Sequence, residues 1–164
     1  MAPGATNYWE SAWQARNFVD ERLHTSLPRD AISLAINSAE GRSQNQLHIH
    51  IDCIRSDVRR SLAENLEAVT TTWTPFPATL AGHTYRALRI NGAILDGVNP
   101  FRVLADDDPQ IKANMGAHTL VLVGETFPDG TTGFVLLDDH ADLATGDRAS
   151  GEELQDHSCA IATQ

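Results

Sequence analysis

Cysteine is scarce in this sequence: only Cys53 and Cys159 are present, and neither belongs to the paired spacing of a structural zinc site. Zinc-finger scaffolds and multiply bridged mini-proteins are therefore excluded. The two thiols are left with two options, one disulfide closing a loop of about a hundred residues or a pair of buried free thiols. Positive charge is also short, with 12 Lys and Arg against 22 Asp and Glu and a formal net charge of -10. The basic residues form no long run, so a polymeric nucleic acid is a poor partner. One small phosphate group is a different matter, because a few local donors suffice to hold it. No apolar run of about 18 residues exists to cross a bilayer. The opening MAPGATNYWE lacks both the basic region and the apolar core of a signal peptide. Helical pattern begins almost at once, which raises the expectation of an upstream segment in a longer precursor. No nucleophile elbow occurs, so serine-hydrolase chemistry has little support.

What is present suits one compact domain: 164 residues, 41% of them hydrophobic, provide material for a substantial core. TNYWESAWQARNFVDERLH predicts an amphipathic helix, with Asn7 as cap, Glu10 in a capping box, and Ala12, Ala15, Val19 and Leu23 at helical spacing. Trp9 and Trp13, one turn apart, widen the buried stripe. AISLAI, residues 31–36, predicts a buried strand, and the polar loop NSAEGRSQ follows it. QLHIHIDCI, residues 46–54, alternates strictly. That period places Leu47, Ile49, Ile51 and Cys53 on a core face, and Gln46, His48, His50 and Asp52 on the face opposite. A helix from Ser56 or Asp57 carries Val58, Leu62, Leu66 and Val69 as its apolar stripe.

Beyond it, HTYRALRI, PFRVLA, HTLVLVGETF and GFVLLDD predict the strands of a second layer, with PDGTTG as a turn. DPQIKANMGA predicts a short helix, and the run Asp106 to Asp108 reads as its cap rather than as a pair of working carboxylates. A last helix is expected from about Ser150.

Three readings compete for His48 and His50. They are polar residues on a wet strand face, or they share a cation with partners drawn from Asp52, His83, His118, His140 and His157. In the third, one of them is a nucleophile toward phosphorus, held in the right tautomer through its other ring nitrogen. The glycine-bearing loop before the segment would then offer donors to the phosphates.

SQNQLHIHI resembles the signature of the histidine triad superfamily of nucleotide hydrolases and transferases. More closely, WQARNF, AISLAINSAEGRSQNQLHIHIDCIRSDVR, GHTYRA and EELQDHSC resemble the bacterial CDP-diacylglycerol pyrophosphatase family, over most of the chain. The resemblance implies an α+β fold, a triad-like antiparallel sheet packed on helices with a C-terminal strand-rich extension. It implies a single domain over residues 1–164, without the family's N-terminal region. The implied reaction hydrolyses CDP-diacylglycerol to CMP and phosphatidate through a cytidylyl-histidine intermediate, with neither cofactor nor metal.

By position, Gln46 takes the first triad slot, His48 the nucleophile slot and His50 the third. A second register would make His48 the first, His50 the nucleophile and Asp52 the third. Asn37, Ser43, Gln44 and Gln46 become candidate phosphate-binding residues. Arg55 and Arg59 are either contacts to a lipid phosphate or a solvated helix start. The resemblance implies a membrane-lipid partner and the periplasmic side of a bacterial inner membrane. The alternatives are another nucleotide hydrolase or nucleotidyl transferase of the superfamily, or a catalytically silent nucleotide- or lipid-phosphate-binding module.

Overall fold

The computed structural model describes residues 6–163. The opening residues 1–5 lie outside that range, as does Gln164. The two most continuous apolar runs form the central hairpin: β5 (His118–Thr126) and β6 (Thr132–His140) pair antiparallel along their whole length. Phe127 to Thr131 make the tight turn, as PDGTTG predicts, with Gly130 at φ 80° and the Phe127 N–H donating to the Thr131 carbonyl at 2.9 Å. Both strands are buried from their second to their eighth residue, so they occupy the middle of the sheet.

β1 (Ile32–Ile36) joins the free side of β5, and β2 (His50–Cys53) joins β1. On the other side, β4 (His83–Asn91) pairs with β6 and β3 (Thr74–Leu80) with β4. All neighbours are antiparallel, in the order β2-β1-β5-β6-β4-β3. The fold is thus α+β, an open antiparallel sheet with a few helices. The expected second layer does not form, because Leu34 pairs directly with Leu122 and draws the early and late strands into one sheet.

The long N-terminal helix divides into α1 (Tyr8–Ala15) and α2 (Asn17–Leu23). Arg16 stands at the break, its guanidinium donating to the Trp13 carbonyl at 2.6 Å. Trp9 and Trp13 are core residues, as their spacing predicts. Trp13 meets Phe134 edge-on at 4.9 Å and lies so close to β5 that a Cβ on Gly124 would come within 2.6 Å of its ring. Asn7 does not cap. Its amide donates to the carbonyls of Leu95 and Val98, and Glu10 accepts from the Leu95 N–H at 2.7 Å. Asn7 therefore binds a distant loop rather than its own helix, while Glu10 binds that loop and also accepts from Gln14 within α1.

α3 (Ser56–Asn65) buries Val58 and Leu62, and the stripe continues through a 3-10 turn to Leu66 and Val69. PFRVLA is a helix, α4 (Pro100–Ala105), not a strand. Pro100 has no N–H for a ladder but fits the first helical turn, and the Asn99 side chain accepts from the Phe101 N–H at 3.0 Å. α5 (Pro109–Ala113) is capped by Asp108, as expected. β3 was unforeseen because TPFPATL holds two prolines, which an edge strand tolerates.

Past Ser150 the described residues form only two 3-10 turns, Gly151–Leu154 and Ala160–Thr163. Between the two turns the chain runs extended against β2, with the Asp156 N–H bonded to the Cys53 carbonyl and the Arg55 N–H to the Leu154 carbonyl, each at 2.9 Å, and those pairings replace the helical ladder. Cys53 and Cys159 form a disulfide across 106 positions. Among the described residues no helix is long and apolar enough to cross a membrane.

Candidate active site

The alternating segment is a strand only from His50 onward. β1 ends at Ile36, so the chain ahead of His50 has no partner strand, and Gln46 to Ile49 leave the ladder. Leu47 is accordingly 57% exposed rather than in the core, while Ile49 and Ile51 are half-buried against it and Cys53 is buried. Asp52 is buried too, not on a wet face.

Leaving the ladder frees the Gln46 carbonyl, which lies 2.8 Å from His48 Nδ1. A carbonyl only accepts, so Nδ1 carries the proton and Nε2 keeps its lone pair. The His50 ring meets the His48 ring edge-on at 4.7 Å. His50 Nδ1 is 3.0 Å from Glu152 Oε1, and its Nε2 is buried with no hydrogen-bond partner. Burial pushes the His50 pKa down and the Glu152 charge only partly opposes this, so His50 is neutral near pH 7.

Glu152 is held in turn by Asn37, whose amide donates to Oε2 at 2.5 Å and whose carbonyl oxygen accepts from the Glu152 N–H at 3.2 Å. On its other side stands exposed His157, with Nε2 3.8 Å from Glu152 Oε1. His157 Nδ1 bonds Asp52 at 2.8 Å, and that bond raises the His157 pKa. Arg22 also binds Asp52, at 3.0 Å. Gln155 closes the strand edge by donating to the His50 carbonyl at 3.3 Å and to Ser33 Oγ at 3.0 Å.

The candidate phosphate-binding residues thus separate. Asn37 belongs to the cluster but spends its amide on Glu152. Ser43, Gln44 and Gln46 are exposed on the irregular stretch ahead of His48. Arg55 bonds Asp57 through two nitrogens, and Arg59 bonds Asp30, so both serve as structural cations. The sequence pattern points to neither Glu152 nor Arg42, and it offers His157 only as a possible ligand for a shared cation. Arg42 lines a cavity of about 210 Å³ together with Asn37, Leu47, Phe101 and His118. A second cavity, of about 410 Å³, lies beside His48 and is walled by Tyr8, Ala12, Leu47 and Ile49. Leu47 therefore borders both spaces, and both are walled mostly by apolar side chains.

Of the other side chains considered as partners for a shared cation, Asp52 and His157 lie in this cluster. His118 is bonded to Asp138 at 2.8 Å and stacked edge-on with His140, while His83 belongs to a separate acidic group. His48 and His50 belong to none of the groups of three or more described side chains close enough to share an ion.

A family model described as CDP-diacylglycerol pyrophosphatase matches residues 1–163. The chain belongs to that family. Membership makes it a hydrolase acting on a pyrophosphate bond, with CDP-diacylglycerol as the substrate the family implies. His48 lines the same cavity as Tyr8 and Leu47.

Proposed function

We propose that the chain hydrolyses CDP-diacylglycerol by a histidine-triad mechanism, with His48 as the nucleophile. The observation that carries this reading is the bond from His48 Nδ1 to the Gln46 carbonyl. It aims the lone pair outward from Nε2, and the carbonyl dipole stabilises the positive charge that grows on the ring as Nε2 attacks. A bond forms between His48 Nε2 and the phosphorus on the cytidine side. The bond from that phosphorus to the bridging oxygen breaks, and phosphatidate leaves with the electron pair. Water then attacks the same phosphorus, the P–N bond breaks, a proton goes to solvent, and CMP and neutral His48 remain.

The second register, with His50 as nucleophile, fits less well. Its Nδ1 faces a carboxylate and its Nε2 is enclosed by protein, so neither nitrogen offers a lone pair to a substrate. His50 instead abuts the attacking ring and keeps it in place, with Glu152 and Asn37 behind it. Ser43, Gln44 and Gln46 supply donors to the phosphate oxygens from the loop. The antiparallel sheet with the triad at a strand end supports the superfamily assignment, and the disulfide suits an oxidising compartment such as the periplasm. Tyr8 and Leu47, both exposed, give the lipid portion an apolar surface next to the nucleophile.

The test is CMP release from CDP-diacylglycerol in detergent. His48→Ala should lower turnover by on the order of 10³-fold or more, and acid quenching of the wild type should trap a cytidylyl adduct on His48. Full activity in His48→Ala together with a dead His50→Ala would reverse the register. Turnover of other nucleotide diphosphate esters but not of the lipid would move the substrate within the superfamily, and binding without any turnover would favour the silent module.

A further inference from the structure

A second group of titratable side chains gathers away from the His48 pair, where the start of β4, the end of β6, the turn before Arg148 and the 3-10 turn at Gly151–Leu154 meet. His83 Nδ1 lies 3.1 Å from Asp147 Oδ1 and 3.2 Å from Glu153 Oε1. One ligand atom from each of His83, Asp139 and Asp147 lies within 4.8 Å of the other two. Asp139 is only 8% exposed, and its Oδ2 is buried with no hydrogen-bond partner, while Oδ1 accepts from the His140 N–H at 2.7 Å. His83 Nδ1 is likewise buried and makes no hydrogen bond of acceptable angle despite its short distances to oxygen. Three carboxylates thus face one imidazole, and two buried polar atoms point to no partner.

A proton shared between Asp139 and Asp147 would relieve part of the repulsion but leave the His83 nitrogen unused. A divalent cation relieves both. Two ligands bound at about 2.0 Å to a tetrahedral metal are roughly 3.3 Å apart, and the two His83 distances already match that edge. Asp139, whose ligand oxygen lies within 4.8 Å of the other two ligand atoms, completes the set. One imidazole among carboxylates suits zinc or manganese better than calcium or magnesium. The other group of possible ligands, Asp52 with Cys53 and Cys159, is ruled out because its sulfurs are bonded to each other.

We propose that His83, Asp139 and Asp147 form a binding site for a divalent transition-metal ion, with Glu153 at its margin, that fastens the Asp147 to Leu154 segment to the sheet. The ion's role is structural and does not touch the phosphorus. Its effect on the other site runs through sequence adjacency, since Glu153 borders the ion and Glu152 contacts His50.

The experiment is calorimetric titration of the chelator-stripped full chain with Zn²⁺ and, separately, Mn²⁺ at pH 7.5. The expected result is one ion per chain for at least one metal, with a rise in Tm on saturation. Asp139→Asn should weaken binding at least tenfold while leaving the metal-free protein as stable as the wild type or more so, because a repelling charge is gone. Asp147→Asn is the second variant and should also lose binding, whereas His48→Ala should retain it. The proposal is overturned if the folded wild type binds neither metal stoichiometrically. It is equally overturned if both Asn variants bind as the wild type does, or if binding is lost in His48→Ala alone. None of these outcomes depends on pyrophosphatase activity.

Discussion

Removing the Cys53–Cys159 bridge should cost this protein several kcal/mol, and the size follows from where the bridge lies. It joins residues separated by 106 positions, so nearly two-thirds of the chain is closed into one loop when the protein unfolds. In the chain-entropy account a loop of that length contributes about 4.7 kcal/mol at 25 °C, a large share of the roughly 5–15 kcal/mol that stabilises a typical domain. The folded state loses comparatively little, because the Asp156 N–H to Cys53 carbonyl bond and the Ile54–Gln155 bridge survive reduction. The measurement is urea unfolding followed by fluorescence of buried Trp9 and Trp13, with and without a phosphine reductant, and for a Cys53→Ala/Cys159→Ala double variant. With a slope of about 2 kcal/mol per molar urea, the midpoint should fall by about 2 M, and the slope should steepen as the unfolded chain expands. The double variant should match the reduced protein to within about 1 kcal/mol, since each substitution removes a single sulfur atom, that of Cys159 lying 3.3 Å from Asp52 Oδ1 and 3.4 Å from Arg22. Equal midpoints for oxidised and reduced protein would refute the reasoning. So would a reduced protein that differs widely from the double variant, because the loop argument predicts the same loss for both.

Two further perturbations test the electrostatics. Burial raises the Glu125 pKa to about 8, so the folded state holds a proton that the unfolded chain has released above about pH 4.5. Stability should be greatest below that value and decline as pH rises toward 8, by a few kcal/mol at most; Glu125→Gln should flatten this slope, and thermal melts with equal pH slopes in both proteins would contradict it. Glu152→Gln removes the charge that opposes the lowered His50 pKa, so the acid limb of the CMP-release profile should move to lower pH with a loss of roughly tenfold in rate, whereas an acid limb that stays put or moves upward would show that Glu152 does not act through His50.

Much of the fold was legible because its elements carry strong period. The stripe of Val58, Leu62, Leu66 and Val69 and the continuous runs in β5 and β6 announced themselves. The Trp9 and Trp13 pair did so as well. Proline misled in both directions, hiding β3 at an edge and making the helix at Pro100 resemble a strand by its hydrophobicity alone. The alternation of QLHIHIDCI was real in sequence but too long in structure, because a strand ends where its neighbour does and β1 stops at Ile36. That shortening could not be read from residues 46–54 themselves. The contact of Glu152 with His50 was invisible for a related reason, as was the bond of His157 to Asp52: a contact across a hundred positions leaves no local spacing. The one available signal was EELQDHSC itself, which carries part of the family resemblance but whose spacing reads as a last helix and assigns no role to Glu152.

The segment from Asp147 to Cys159 connects these separate features. It contributes Asp147 and Glu153 to the acidic group, Glu152 to His50, Gln155 to the edge of β2, His157 to Asp52, and Cys159 to the disulfide. Successive side chains of one 3-10 turn point to different sites, Glu152 toward the imidazole pair and Glu153 toward His83 and Tyr85. A short turn without a long helical ladder has little stiffness of its own, so its ends must be fixed by other means. The disulfide fixes one end covalently, and the carboxylate group borders the other. A loss at the disulfide end should release His157 from Asp52 first, while a loss at the acidic end should release Glu152 from His50. The two perturbations therefore separate in the pH profile: the first alters the group with the raised pKa, and the second the group with the lowered one.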